Sequence, residues 1–184
     1  IERFLLLSSV AFDSSMAGIF GTLCQGGQLV LPELGQEHNV QQLAQLIDQA
    51  QVTTMLALPS LYGLLLEGTT SPQLSSLRDV ILAGEACDAG LVKLHDGRLP
   101  HTTLYNEYGP TEATVWSTVY QIPPDWQGSN VPIGQPIANA NVLVLDSQQQ
   151  PVPIGVPGEI YIGGPGVVPG YWQQSKLTAE RFVD

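Results

Sequence analysis

Basic residues are scarce in this sequence: six Lys and Arg stand against seventeen Asp and Glu, a net charge of −11. Nucleic-acid backbones are neutralised by clustered cations, so six scattered ones argue against a nucleic-acid partner. A polyanionic ligand such as a nucleotide could be held only with help from a metal ion and from backbone N–H groups. Cysteine is scarcer still. Cys24 and Cys87 form no CxxC and have no His at ligand spacing, so a thiolate metal site is not expected and a reduced, cytoplasmic setting is the default. His38, His95 and His101 also lack paired metal-ligand spacing and read as solvated side chains. No apolar run approaches the roughly 20 residues of a membrane span, and the opening residues do not form a signal peptide.

What is present describes a folded protein. Hydrophobic residues make up 43% and charged residues only 12%, enough for one good core or a domain and a half. The 19 Gly and 14 Pro fall singly or in pairs between apolar runs, as turns do, with no internal repeat and no low-complexity tract. Residues 4–11 are a continuous apolar run broken only by Ser8 and Ser9, the pattern of a buried strand. In NVQQLAQLIDQAQ, Val40, Leu43, Ala44 and Ile47 recur at helical spacing behind Asn39, a good N-cap. VTTMLALP is β-branched and apolar and stops at Pro59, which predicts a strand. SLYGLLLEG reads as a short helix and LRDVILAGEA as a strand ending at Gly84. AGLVKLHDGRL has helical spacing through Leu91, Val92 and Leu94, and TTLYNEYG is a strand running into a loop.

Strands alternating with helices over about 110 residues predict an α/β fold, a mainly parallel sheet with flanking helices. Such sheets bind ligands beyond the carboxyl ends of their strands, which places Leu58-Pro59, Gly84-Glu85-Ala86 and the opening loop on one edge. After about Val119 the pattern changes. VLVLDSQQQPVPIGVPGEIYIGG holds two short strands around Pro and Gly turns, a smaller antiparallel β subdomain. SKLTAERFV starts a helix capped by Ser175, and QIPPDWQGSNVPIG near residues 120–133 reads as a linker. The expected division is an α/β subdomain over 1–120, then a linker and β subdomain over 121–184.

The run YNEYGPTEAT, residues 105–114, gathers the polar groups with the most chemistry. Tyr108 offers a ring able to stack on a purine, and Gly109-Pro110 offers a fixed turn that a ligand can approach closely. Thr111 offers a hydroxyl and an N–H for a phosphate oxygen, and Glu112 a hard carboxylate for Mg²⁺. The same residues also suit a plain turn capping a helix that starts at Thr111.

Four stretches in order carry a family resemblance. NEYGPTEAT resembles the N-x-Y-G-P-T-E motif of amino-acid adenylation domains in nonribosomal peptide synthetases, and AFDSS at 11–15 resembles their F-D-x-S motif. VPIGQPIANANVLVLD at 131–146 is similar to their P-I-G-x-P-I stretch with its strand. GEIYIGGPGVVPGYW at 158–172 resembles their G-E-L-x-I-x-G-x-G-V-A-R-G-Y motif, with Val168-Pro169 where that motif has Ala-Arg. The departure puts any role of that arginine in doubt, while the surrounding glycines remain. The resemblance implies a partial adenylate-forming enzyme fold and a two-step ligase. ATP, Mg²⁺ and an amino acid give an aminoacyl-adenylate, which passes to the phosphopantetheine thiol of a carrier domain. No protein nucleophile is required, and no Ser-His-Asp or Cys-His arrangement is apparent.

Residue by residue, the resemblance assigns Glu112 to Mg²⁺ and Thr111 to the α-phosphate, both at the catalytic centre. Tyr108 would stack on adenine beside Gly109, Asn106 would bond its amino edge, and Gly84, Glu85 and Ala86 would line its pocket through their backbone. Asp13 would pair with the substrate's α-ammonium, although it also suits a helix N-cap. The substrate side chain would meet Ser14, Ala17, Ala57, Ile81, Ala83, Glu107, Val115 and Trp116. Three alanines leave volume there, and a partly buried Glu107 needs a cation or a donor, so a large side chain with a polar or cationic end is expected. Arginine, or tyrosine and its homologues, fits that description. Glu107 pointing to solvent, or Trp116 filling the space, are the alternatives.

The resemblance also implies a phosphate loop, a T-G-D motif and a C-terminal Lys that are not in these residues. The expectation is a central fragment of such an enzyme, inactive alone, whose partners are condensation and carrier domains of the same synthetase. The competing expectations are an acyl-CoA or aryl-acid ligase of the same superfamily, disfavoured by Asp13, and a non-catalytic nucleotide-binding module.

Overall fold

Five short strands, β1 (Arg3–Leu5), β2 (Gln28–Val30), β3 (Thr54–Ala57), β4 (Asp79–Leu82) and β5 (Thr103–Tyr108), pair in parallel in the order β2-β1-β3-β4-β5. β6 (Thr118–Ile122) and β7 (Gln135–Pro136) extend this sheet beyond β5. The computed structural model describes residues 1–183. Helices α1 (Ser14–Leu23), α2 (Val40–Ala50), α3 (Pro59–Gly68) and α4 (Ala89–Arg98) connect the parallel strands, giving the expected α/β class.

Register decides which side chains share a face. Leu5 pairs with Met55, and Ala57 with Leu82 and then Asn106. This face carries the core: Leu43, Ala44 and Ile47 of α2, Tyr62, Leu65 and Leu66 of α3, and Val92 of α4 form one buried cluster with Met55, Val80, Leu82 and Leu104. α1 lies on the other face. Its Gly18 sits against the Phe4 ring, where an added Cβ would come within 2.5 Å of a ring carbon. Helices on both faces make the sheet doubly wound, with the strand order reversing between β1 and β3. Ligands of such sheets bind at that reversal, beyond the strand ends. The loop from Leu6 to Asp13 and the β3–α3 junction at Leu58 flank it.

Three expectations change. The strand expected over residues 4–11 ends at Leu5, and Val10 and Phe12 are 74% and 67% exposed. Its neighbour β2 ends at Val30, whose carbonyl takes the last bond on that side, from the Leu6 N–H at 3.0 Å. His95 is buried, because its two ring nitrogens find partners at Tyr62 and Thr102 inside the core. Ser175 is the first residue of α5 (Ser175–Arg181), and Gln174 occupies the cap position.

The chain forms two compact units. The first comprises Ile1–Tyr108 with Val119–Gln135; the second comprises Gly109–Thr118 with the chain from Pro136 onward. Residues 119–135 belong with the sheet because β6 is one of its strands and Gly134 packs on the Val119 carbonyl, where no Cβ would fit. In the second unit, β8 (Asn141–Leu145) and β9 (Glu159–Gly163) pair antiparallel, Asn141 opposite Gly163 and Leu145 opposite Glu159. Among the described residues no helix is long and apolar enough to cross a membrane.

Candidate functional site

At the carboxyl edge of the sheet, β4 runs into Ala83 and then Gly84, whose φ of +83° favours glycine. Glu85 follows, and its carboxylate accepts from the Ser60 N–H at 3.0 Å and the Ser60 hydroxyl at 3.1 Å, capping the start of α3. Asp88 does the same for α4, accepting from the Gly90 N–H at 2.6 Å. The N-termini of α3 and α4 are thus already met by carboxylates and are not anion sites. The groove between α3 and α4, about 720 Å³, is rimmed by Glu67, Glu85 and Asp88 and so repels a nucleotide. Gly84, Glu85 and Ala86 are exposed residues.

β5 presents two different faces. Asn106 is 4% exposed and its Nδ2 donates to the Pro132 carbonyl at 2.8 Å. A carbonyl only accepts, so the amide nitrogen must face it, which turns Oδ1 the other way as an acceptor. Tyr108, two residues on and therefore on the same face, has an exposed ring. The opposite face carries Ile81 beside Tyr105, and by alternation Ala83 and Glu107. That is the face on which α1 packs, and α1 carries Ser14 and Ala17. Ala57 pairs with Leu82 and lies on the core face, so it is not brought together with Ile81, Ala83 and Glu107. Glu107 is half-buried, and loss of hydration pushes its carboxyl up to about 7. Asp13 occupies the N-cap position of α1, yet its side chain makes no cap hydrogen bond. Ser14 hydrogen-bonds Ser8 at 3.1 Å between their hydroxyls.

In the second unit, the segment after Gly109 is tightly constrained. A Cβ on Gly109 would run into the Val115 carbonyl and come within 2.7 Å of Trp116 Cα, so the close approach there is by the protein's own backbone. Thr111–Ala113 is one 3-10 turn, shorter than the helix anticipated. Thr114 and Val115 then take φ of 58° and 72° in succession. The Trp116 N–H donates to the Thr114 carbonyl at 3.1 Å, closing a three-residue turn around Val115. This geometry is rare for any residue and an outlier for a β-branched one. Three hydrogen bonds hold it. The Thr114 hydroxyl donates to the Gly166 carbonyl, the Val168 N–H donates to the Glu112 carbonyl at 2.9 Å, and the Tyr171 hydroxyl donates to Glu112 Oε1.

Mg²⁺ is commonly held by one or two carboxylates with substrate phosphates completing its shell. Glu112 is a half-buried carboxylate oriented by Tyr171, and the described residues contain no cluster of three ligating side chains. That donor set fits a metal shared with a phosphate and does not fit a closed all-protein cage. Trp116 lines a cavity of about 130 Å³ together with Ser117, Asn139 and Ile162. Tyr171 and Thr114 both fall within motif stretches, but nothing in the sequence gives either one a contact. Tyr171 lies 59 residues from Glu112, and no spacing rule links them.

A sequence profile described as AMP-binding enzyme matches residues 2–172. The chain belongs to the AMP-binding enzyme family. Its relatives within that family include nonribosomal peptide synthetases. It is 41% identical to a dimodular nonribosomal peptide synthase of Bacillus subtilis (strain 168), over 99% of this chain and 7% of that one. It is 36% identical to tyrocidine synthase 3 of Brevibacillus parabrevis, over 99% of this chain and 3% of that protein. Among solved structures, it superposes with a TM-score of 0.91 and 32% identity on holo-PA1221, a nonribosomal peptide synthetase protein containing adenylation and PCP domains, bound to a vinylsulfonamide inhibitor. That match covers 99% of this chain and 32% of the other. The AMP-binding enzyme fold is therefore the one that the four motifs implied, and the chain spans a small part of the length of these relatives.

Proposed function

We propose that this chain is the central part of an amino-acid adenylation domain of a nonribosomal peptide synthetase, with 1–120 and 121–184 contributing parts of its α/β and β subdomains. In the whole enzyme an oxygen of the amino-acid carboxylate attacks the α-phosphorus of ATP and pyrophosphate leaves. The phosphopantetheine thiol of a carrier domain then attacks the aminoacyl-adenylate carbonyl and AMP leaves. The observation that carries this reading is the pairing of Asn106 and Tyr108 on one face of β5, an inward-held acceptor beside an exposed ring. Adenine offers the matching groups, a flat face and an exocyclic amino group.

The remaining roles follow from what each group has available. Gly84, Glu85 and Ala86 meet the base through main chain, since the Glu85 carboxylate is engaged with Ser60. Thr111 binds the α-phosphate, and Glu112 holds Mg²⁺, which supplies neutralisation of the triphosphate charge. Asp13, without a cap bond, takes the α-ammonium group. Ser14, Ala17, Ile81, Ala83 and Glu107 face the side chain with Val115 and Trp116, and Ala57 supports the strand from its core side. Positioning two anions in line, with their charge neutralised, supplies much of the rate. A half-buried Glu107 favours arginine, or tyrosine and its homologues, over small apolar substrates. The setting is cytoplasmic, with condensation and carrier domains as partners.

Mass spectrometry of the carrier domain in the full-length protein tests this. With ATP, Mg²⁺ and amino acids, the phosphopantetheine arm is expected to gain one aminoacyl mass. An arm that stays unloaded with every amino acid, or loads a non-amino carboxylic acid instead, contradicts the reading.

A further inference from the structure

Segment 166–171 grips segment 112–114 at three points. The Val168 N–H fixes the Glu112 backbone at 2.9 Å, and the Thr114 hydroxyl ties the left-handed Thr114–Val115 turn to the Gly166 carbonyl. The Tyr171 hydroxyl reaches the Glu112 carboxylate itself. Tyr171 is in turn fixed from behind. Its ring meets Phe182 edge-on with centroids 5.5 Å apart, and its N–H donates to the Thr178 hydroxyl at 2.9 Å. A phenol held in this way can set the plane of a carboxylate, because the donor direction is not left to the Glu side chain's own rotamers. A carboxylate only accepts, so the phenol is the donor in this bond.

We infer that Tyr171 is a positioning residue that orients the Glu112 carboxylate toward a divalent cation, with Thr114 holding the turn that carries it. The inference rests on the adenylation reading above, in which Glu112 meets Mg²⁺. Outer partners of metal-binding carboxylates commonly change metal affinity by 10- to 100-fold when removed. Tyr171 would contact no reacting atom and act only through Glu112.

The test uses the full-length protein and the variants Tyr171→Phe, Thr114→Ala and Thr114→Ser. Mn²⁺ binding in the presence of a non-hydrolysable ATP analogue is read by the loss of the free-ion EPR signal, without turnover. The half-saturating Mg²⁺ concentration for amino-acid-dependent pyrophosphate exchange is measured beside it. Tyr171→Phe keeps the ring against Phe182 and is expected to weaken Mn²⁺ binding about tenfold and raise the Mg²⁺ requirement equally, with an unchanged Tm. Thr114→Ala is expected to weaken Mn²⁺ binding and Thr114→Ser to restore it. Parent-like Mn²⁺ binding in Tyr171→Phe overturns the inference, and parent-like binding in Thr114→Ala overturns the part given to Thr114. A loss of Tm that accounts for the whole effect also overturns the inference. A parent protein that neither binds Mn²⁺ with the analogue nor exchanges pyrophosphate overturns the adenylation reading itself.

Discussion

The Tyr62 hydroxyl lies 2.6 Å from His95 Nδ1 inside the core of the α/β unit, and His95 Nε2 lies 2.9 Å from the Thr102 carbonyl. The carbonyl can only accept, so Nε2 carries the proton, Nδ1 accepts, and Tyr62 donates. His95 is thereby held neutral, and burial pushes its pKa below 6.5.

Acid should act through this pair. A His whose folded pKa is depressed takes its proton later than in the unfolded chain. Its contribution is present above pH 6.5 and is lost as pH falls from there toward the folded pKa. Tyr62→Phe leaves Nδ1 buried without a donor, a loss of about 1–3 kcal/mol. Urea unfolding of the intact protein is expected to show that loss at pH 7.5. It should shrink near pH 5, where protonation already penalises the parent.

Glu107 tilts the pH dependence the other way. Its folded carboxyl titrates near 7 against 4.5 for the free group, so the folded state gains protons first as pH falls. Stability from this residue therefore declines as pH rises from about 4.5 through 7. Glu107→Gln should remove that decline and raise stability at pH 8 by about 1–3 kcal/mol. Denaturant midpoints of parent and variant at pH 5 and pH 8 check it; an equal difference at both pH values contradicts it.

Substrate choice should follow the same carboxylate. The parent is expected to prefer an amino acid with a cationic or hydroxyl-bearing side chain, and Glu107→Gln to lower kcat/KM for it by roughly 10- to 100-fold. The effect on a neutral analogue of equal size should be small. A parent that prefers glycine or valine contradicts the role given to Glu107.

Gly109→Ala tests whether the turn is built as described. The new Cβ would meet backbone atoms of Val115, Trp116 and Ser117, none of which can swing aside. A loss of roughly 1–3 kcal/mol is expected, with altered fluorescence of Trp116 and faster amide exchange over residues 112–117. Parent-like exchange there would mean that the loop accommodates the methyl.

Much of the α/β unit was legible because its pattern is regular. Leu43, Ala44 and Ile47 recur at helical spacing, and the Asn39 carboxamide caps that helix by accepting from Gln41 and Gln42. α1 was not legible, for a physical reason. Its buried residues are Ser15, Gly18 and Thr22, small groups that let it lie close on Phe4, while Phe20 and Leu23 face outward. A helix with reversed amphipathicity gives no apolar stripe to find. β2 and β7 are too short for any alternation to register. At the site, the chemistry of Tyr108, Thr111 and Glu112 could be read from residue type, but the facing of Ala57 needed the strand register. The grip of Tyr171 on Glu112 needed the tertiary fold.

Amino-acid activation is measured most directly by ATP–pyrophosphate exchange by the full-length protein across a panel of amino acids. Exchange is expected to depend on Mg²⁺ and on an amino acid, to be strongest for a large side chain with a polar or cationic end, and to be lost in Asp13→Ala. Exchange driven by simple carboxylic acids, or none with any amino acid, would contradict amino-acid activation.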